Sequence, residues 1–173
     1  MGCYHSKKKN NEYPGPIKIQ VLERELQPVN YPINNIPPKF CPQLTEGYVC
    51  KVYDADTITV VSKLDFKSGE QFFRFSIRLF GIDAPELRTK NETEKKIAIQ
   101  GRDELRKIIL YKVVTLKTYE CDKYGRLLCE VYYNGIHLNK WLLDEHYAVF
   151  YDGGRKETPH NWEEYRNNRQ LKD

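Results

Sequence analysis

The stretch QFFRFSIRLFGIDAPE, residues 71–86, carries two patterns in succession. In its first half Phe73, Phe75, Ile77 and Leu79 alternate with Arg74, Ser76, Arg78 and Phe80. Strand side chains point alternately to opposite faces, so this pattern predicts one half-buried strand with two arginines on its other face. In its second half a strand arginine, Arg78, leads into a loop bearing two carboxylates, Asp83 and Glu86.

Working outward, Tyr48 to Tyr53 and Thr57 to Val61 read as β-branched and aromatic strands, broken at Asp54-Ala55-Asp56. After the quoted stretch the period changes. Ile97, Gly101, Leu105 and Ile108 recur at helical spacing over 93–110, with Ala98 and Ile109 widening the stripe and Thr93 as the cap. Val113 to Tyr119 and Leu127 to Tyr133 predict a hairpin around Asp122-Lys123-Tyr124-Gly125-Arg126. Leu138 to His146 is helical by the spacing of Leu138, Trp141, Leu142 and Glu145. Thr158-Pro159 is expected to open a last helix with Trp162 and Tyr165, both tryptophans packing in or on the core. Five short strands with a helix after the third predict an α+β, mainly β fold: a five-stranded Greek-key barrel of the OB type with three helices.

The chain has 173 residues, one domain with modest extras by its length, and 30% charged and 40% hydrophobic residues, which suits a globular protein. No run approaches the roughly 18 apolar residues of a spanning helix. Its net charge is +4, but residues 1–45 hold six basic and three acidic side chains, leaving residues 46–173 with 22 against 21. Seven of nine prolines also precede residue 45. Proline removes backbone donors and favours extended chain, so 10–45 is expected to be a tether and 46–173 the folded domain, with one possible edge strand at Ile17–Val21. Five cysteines, an odd number without CxxC, point to a reducing compartment. Cys121 and Cys129 flank the Tyr124-Gly125 turn symmetrically and could face one another across it.

Residues 1–9, MGCYHSKKK, fit a different chemistry. Gly2 with Ser6 matches the N-myristoylation pattern, Cys3 is placed for palmitoylation, and Lys7 to Lys9 form a basic cluster. One myristoyl chain binds a bilayer marginally, and a second chain or a basic patch makes attachment stable. The expectation is a lipid-anchored protein on the cytoplasmic face of an anionic membrane, cytoplasmic if the acylation does not occur.

Three segments concentrate ionisable groups: Asp54-Ala55-Asp56-Thr57, Arg78 to Glu86, and Asp122-Lys123-Tyr124-Gly125-Arg126. Each alone has a bland reading, as a solvated turn cap, a surface ion pair or a hairpin tip. Together, in this order on an OB-like strand pattern, they resemble the staphylococcal nuclease (thermonuclease-like) family, whose motifs are D-G-D-T, R-x-x-x-x-D-x-P-E and D-x-Y-G-R. The resemblance covers about residues 46–152. The N-terminal extension lies outside the family core and resembles that of plant calcium-dependent nucleases. Ala55 departs from the family's glycine, which would matter if the turn needed positive φ. Ala84 stands where threonine is common.

The resemblance implies one Ca²⁺ ion held by Asp56, Asp83 and the Ala84 carbonyl, with Asp54 acting through water or from behind these ligands. All-oxygen ligation is what this hard cation prefers. It implies Glu86 as the group that orients or deprotonates the attacking water, and Arg78 and Arg126 as phosphate ligands able to donate paired hydrogen bonds. Tyr124 resembles a substrate tyrosine, with Lys123 as an added charge. Tyr151 lies near a second such position, or is a barrel-edge core residue. The implied activity is Ca²⁺-dependent endonucleolytic hydrolysis of DNA and RNA, with little sequence preference, a taste for unpaired strands and 3′-phosphate products, by a monomer. A catalytically silent OB-type module binding nucleic acid or protein is the alternative. His5, His137, His146 and His160 show no ligand spacing.

Overall fold

The computed structural model describes residues 39–168, and the residues from Phe40 onward form one compact unit. The acylation signal and nearly all of the expected tether lie outside the described residues. Among those described, no helix is long and apolar enough to cross a membrane.

Five strands close the barrel: β1 (Glu46–Val52), β2 (Thr57–Phe66), β3 (Gly69–Leu79), β5 (Val113–Cys121) and β6 (Leu127–Tyr133). Neighbours pair antiparallel in the order β3-β2-β1-β5-β6. The ring is closed by a parallel pairing of β3 with β6, in which Ile77, Arg78 and Leu79 face Leu127, Leu128 and Cys129. Two short strands, β4 (Ile82–Asp83) and β8 (Val149–Phe150), form a separate ladder, and β7 (Ile136–His137) extends β6. The helices are α1 (Glu92–Ile109), α2 (Leu138–Asp144) and α3 (Trp162–Asn167). This is the mainly β barrel with three helices that the periodicity predicts.

Inward residues of each strand fill one core, including Val49, Ile58, Val60, Ile77, Val114 and Val131, all 0–1% exposed. Burying a side chain of this size contributes roughly 1.5–3 kcal/mol, so the barrel interior dominates the stability. Helix α1 lays Ile97, Ala98, Gly101, Leu105 and Ile109 against it, the expected stripe. Gly47 marks the tightest approach: a Cβ there would lie 2.8 Å from Val60 Cβ, so β1 cannot carry a side chain at this point. Trp162 is buried in the core and Trp141 packs on it.

The two expected helix caps are displaced. Asn91, not Thr93, caps α1, its Oδ1 accepting from the backbone N–H of Thr93 and Glu94. Asn161, not Thr158, caps α3 in the same way, and Thr158-Pro159 stay in the preceding loop. In both places asparagine offers a carbonyl oxygen of the right reach closer to the apolar stripe. The half-buried pattern of β3 also holds only at its C-terminal end. Ile77 and Leu79 are buried, whereas Phe72 and Phe73 are exposed. The reason is strand length: β1 pairs β2 only as far as Val61, so the distal β2–β3 hairpin has no second layer over it. Cys121 and Cys129 do not oppose each other, because the register pairs Cys121 with Leu127 and Cys129 with Thr118. Cys129 is a buried free thiol.

Candidate active site

Four chain segments converge at one end of the barrel. The β1–β2 turn brings Asp54 and Asp56. The C-terminal end of β3 brings Arg78, and the following β4 and loop bring Asp83, Ala84 and Glu86. The β5–β6 turn brings Lys123, Tyr124 and Arg126, and the segment after β8 brings Tyr151. The backbone ties these together: Leu79 N–H donates to the Asp56 carbonyl at 2.8 Å, and Tyr151 N–H to the Gly81 carbonyl at 3.0 Å. Ala55 sits in the first turn without positive φ and with its methyl buried in the core, so glycine is not required there.

Arg78 is the hub. Its Nη1 donates to Asp56 Oδ2 and its Nη2 to Asp83 Oδ1, both at 2.8 Å, and Nη2 also reaches the Ile82 carbonyl at 3.3 Å. Both carboxylates are almost fully buried. Burial works against the charge of Arg78, but Asp56 and Asp83 outweigh it and raise its pKa. Asp56 is held further by the Thr57 hydroxyl at 2.9 Å and the Ala84 N–H at 3.1 Å. The fork geometry of a guanidinium is what allows one side chain to span two carboxylates.

Asp54 lies behind this pair. Burial, and then the neighbouring Asp56 charge, push its carboxyl from 3.8 up to about 7. Its Oδ1 is buried with no hydrogen-bond partner among the described residues. A carboxyl whose folded pKa lies above its unfolded value contributes stability that is fully present below pH 4 and lost as pH rises toward 7. Asp54→Asn should therefore remove part of the stability loss between pH 4 and 7 in the cation-free protein. Urea unfolding at pH 5 and pH 8 measures this, and an unchanged pH dependence would show that Asp54 is not strained.

The second arginine is set by its own turn. Asp122 Oδ1 accepts from the N–H groups of Tyr124 and Arg126, and its Oδ2 from Arg126 Nε at 2.7 Å. Burial opposes the Asp122 charge, yet these bonds together lower its pKa. Gly125 takes φ +84° here, which a side chain would disfavour. Tyr124 projects beyond them, 73% exposed, with Lys123 and Arg126 within 5.1 and 5.5 Å of its ring centroid. Tyr151 lies with its ring 5.9 Å from the Arg78 guanidinium, at the cleft and not inside the barrel.

Arg78, Glu86, Lys123, Tyr124, Arg126 and Tyr151 line one cleft of about 600 Å³. The sequence reading missed two contributors. Lys156, from the loop after β8, forms an ion pair with Asp83 Oδ1 at 2.9 Å and approaches Glu86 Oε1 at 3.5 Å. A lone lysine in a loop carries no motif, so only the folded chain reveals it. Glu94, in the first turn of α1, accepts from Glu86 N–H at 3.1 Å and from the Thr89 hydroxyl at 2.7 Å, and so fastens the loop that presents Glu86. Its signal was a carboxylate near a helix start, which is common to many helices.

Among the described residues no ready-made group of three or more His, Cys, Asp or Glu metal donors is present. The donor chemistry nonetheless fits a hard cation. The set is all oxygen, and Asp54 adds an unsatisfied buried oxygen, while Asp83 Oδ1 is held by Arg78 and Lys156.

Residues 76–171 match the model of the family described as staphylococcal nuclease homologue. A probable staphylococcal-like nuclease of Oryza sativa is 34% identical over 70 residues, 40% of this chain and 13% of the rice protein. An uncharacterized endonuclease of Escherichia coli is 29% identical over 116 residues, 66% of each chain. An endonuclease of Saprolegnia parasitica is 27% identical over 132 residues, 69% of this chain and 63% of its own. The chain thus spans less than two thirds of the length of each of these relatives.

Proposed function

The chain belongs to the staphylococcal nuclease homologue family, and on that premise we propose that it is an endonuclease hydrolysing phosphodiester bonds of DNA and RNA. The observation that carries this reading is the single cleft in which two arginines from different strand ends face one exposed carboxylate, Glu86. A phosphodiester needs its charge neutralised, a water activated and a leaving oxygen stabilised, and these residue types supply all three.

Arg78 and Arg126 bind the scissile phosphate and stabilise the charge that gathers on its oxygens as the phosphorus becomes five-coordinate. Donors held in place before reaction are worth more than ones that must reorganise. Both arginines are so held, by Asp56 and Asp83 and by Asp122. Glu86 orients a water for attack and takes its proton. The P–O5′ bond then breaks as O5′ takes up a proton from solvent, leaving a 3′-phosphate and a 5′-hydroxyl. Tyr124 and Lys123 hold the strand at the cleft edge, where an aromatic face and a charge accept any sequence. Asp56, Asp83 and the Ala84 carbonyl are the residues that would hold a Ca²⁺ ion, with Asp54 behind them. Such an ion supplies Lewis-acid assistance and orientation of the phosphate.

Denatured DNA and single-stranded RNA should both be degraded when Ca²⁺ is present, by a monomeric enzyme, and degradation should stop in EGTA. Full turnover restored by Mg²⁺ but not by Ca²⁺ would overturn the choice of metal. Absence of cleavage under every metal would overturn the enzyme. The finer reading adds a lipid anchor, supported by the Gly2, Cys3 and Lys7 to Lys9 pattern. Gly2→Ala should then shift the protein from the membrane to the soluble fraction, and equal partitioning of variant and parent would rule the anchor out.

A further inference from the structure

We propose that Lys156 is a built-in competitor of the divalent cation at Asp83, holding that carboxylate and Glu86 until the cation displaces it. The inference rests on the Ca²⁺ reading above and extends it to a residue no motif contains. Its ground is geometric. Lys156 Nζ lies 2.9 Å from Asp83 Oδ1 and 3.5 Å from Glu86 Oε1, so one ammonium bridges the expected metal ligand and the expected water-activating group.

Two cations share Asp83 Oδ1, and they are not held alike. The Arg78 side chain is 14% exposed, lies on a strand paired on both sides, and donates to Asp56, Asp83 and Ile82. The Lys156 side chain is 47% exposed and rises from the loop between β8 and α3, three residues after Gly153. Its only partners among the described residues are the two carboxylates. An ammonium is a compact point charge on a four-carbon stem, without the planar fork that fixes Arg78. When a doubly charged ion arrives at Asp83, the like charge that can leave is therefore Lys156.

Departure also has a destination. Lys156 lines the same cleft as Arg78 and Arg126, so an ammonium freed from Asp83 stays beside Glu86 and faces whatever phosphate the arginines hold. Before a cation binds, the same side chain offsets negative charge at Asp83 and Glu86. Lys156 is thus a positioning residue whose place depends on the state of the site.

The test is calorimetric titration of Ca²⁺ into the nucleic-acid-free protein, which does not depend on turnover. Lys156→Gln should bind Ca²⁺ roughly three- to tenfold more tightly than the parent, the scale expected for removing a half-exposed ion-pair partner. Lys156→Arg keeps a cation and should stay near the parent. Arg155→Gln removes one charge from the same loop without the contact and should also leave the affinity near the parent. A parent that binds too weakly to measure beside a Lys156→Gln variant that binds also supports the competitor. Equal or weaker binding by Lys156→Gln overturns it and leaves the Ca²⁺ site standing, as does equal tightening by Arg155→Gln, which reduces the effect to net charge. No binding heat in either parent or Lys156→Gln overturns the Ca²⁺ reading, and the competitor with it.

Discussion

Arg78→Ala is expected to remove nearly all nuclease activity and to destabilise the fold by about 3–5 kcal/mol, the range seen when one partner of a buried ion pair is deleted. The stability loss follows from what the guanidinium leaves behind. Asp56 and Asp83 are 4% and 3% exposed, and Asp54 stands next to Asp56. Without Arg78 these carboxylates keep the Thr57 hydroxyl, the Ala84 N–H and a half-exposed Lys156, which is too little positive charge for their burial. Part of the group would take up protons, so the variant should be least stable above neutral pH and recover toward pH 4. Arg78→Lys restores one charge but cannot span both carboxylates or clamp a phosphate bidentately. It should recover some stability and little activity, with a residual deficit of about 10²–10³, typical of a lost oxyanion donor. Urea unfolding followed by the fluorescence of Trp141 and Trp162, with digestion of denatured DNA, measures both effects. An Arg78→Ala protein with the parental unfolding midpoint would contradict the buried network.

The same network shows how far sequence patterns reach. Periodicity was sufficient for the barrel because inward positions of strands and helices must be apolar whatever the detail. Ile77, Leu79, Ile97 and Leu105 could hardly have been placed elsewhere. It failed where local competition decides the outcome. Asn91 and Asn161 displaced Thr93 and Thr158 as caps by a difference of two or three residues, within which several side chains could bond the same N–H groups. Phe73 satisfies the strand pattern yet stays exposed, with only the Phe66 and Phe75 rings beside it, because the length of β1 is a property of the pairing and not of β3. The cysteine pair failed on register: the partner of Cys129 is fixed by an irregularity between Thr118 and Glu120 in β5.

The site shows a similar division. Asp56, Asp83, Glu86, Arg78 and Arg126 stand in short motifs and were legible together, because each motif sits where a strand ends. What held them was not legible. The salt bridges from Arg78 to two carboxylates join residues 22 and 5 positions apart, and the bond from Glu94 to the Glu86 backbone crosses from a helix to a loop. Lys156 is remote in sequence from Asp83 and comes to it only through the β4–β8 ladder, where Ile82 pairs with Phe150 and Asp83 with Val149. Motifs show which groups are present; the ladder determines which of them meet.

Glu86→Gln should separate chemistry from folding more cleanly than any other substitution. The Glu86 side chain is 66% exposed, and its contact is the 3.5 Å approach of Lys156. The loop that carries it is fastened by backbone and by Glu94, neither of which the substitution touches. Stability should therefore stay within about 0.5 kcal/mol of the parent, as for most surface changes. Activity should fall by about 10²–10⁴, the usual contribution of a positioned general base. The amide also discriminates between two roles for the carboxylate. Glutamine can still accept a hydrogen bond from water, so a residue that only positions the nucleophile would leave Glu86→Gln well above Glu86→Ala. A residue that takes the proton leaves the two variants equally low, since neither can be protonated at neutral pH. Comparing their kcat values on denatured DNA at saturating substrate decides the role, and a fully active Glu86→Ala protein would remove Glu86 from the mechanism altogether. The first outcome would move the proton to water or to the departing oxygen. The second would make Glu86 the group whose charge Lys156 tempers before substrate arrives.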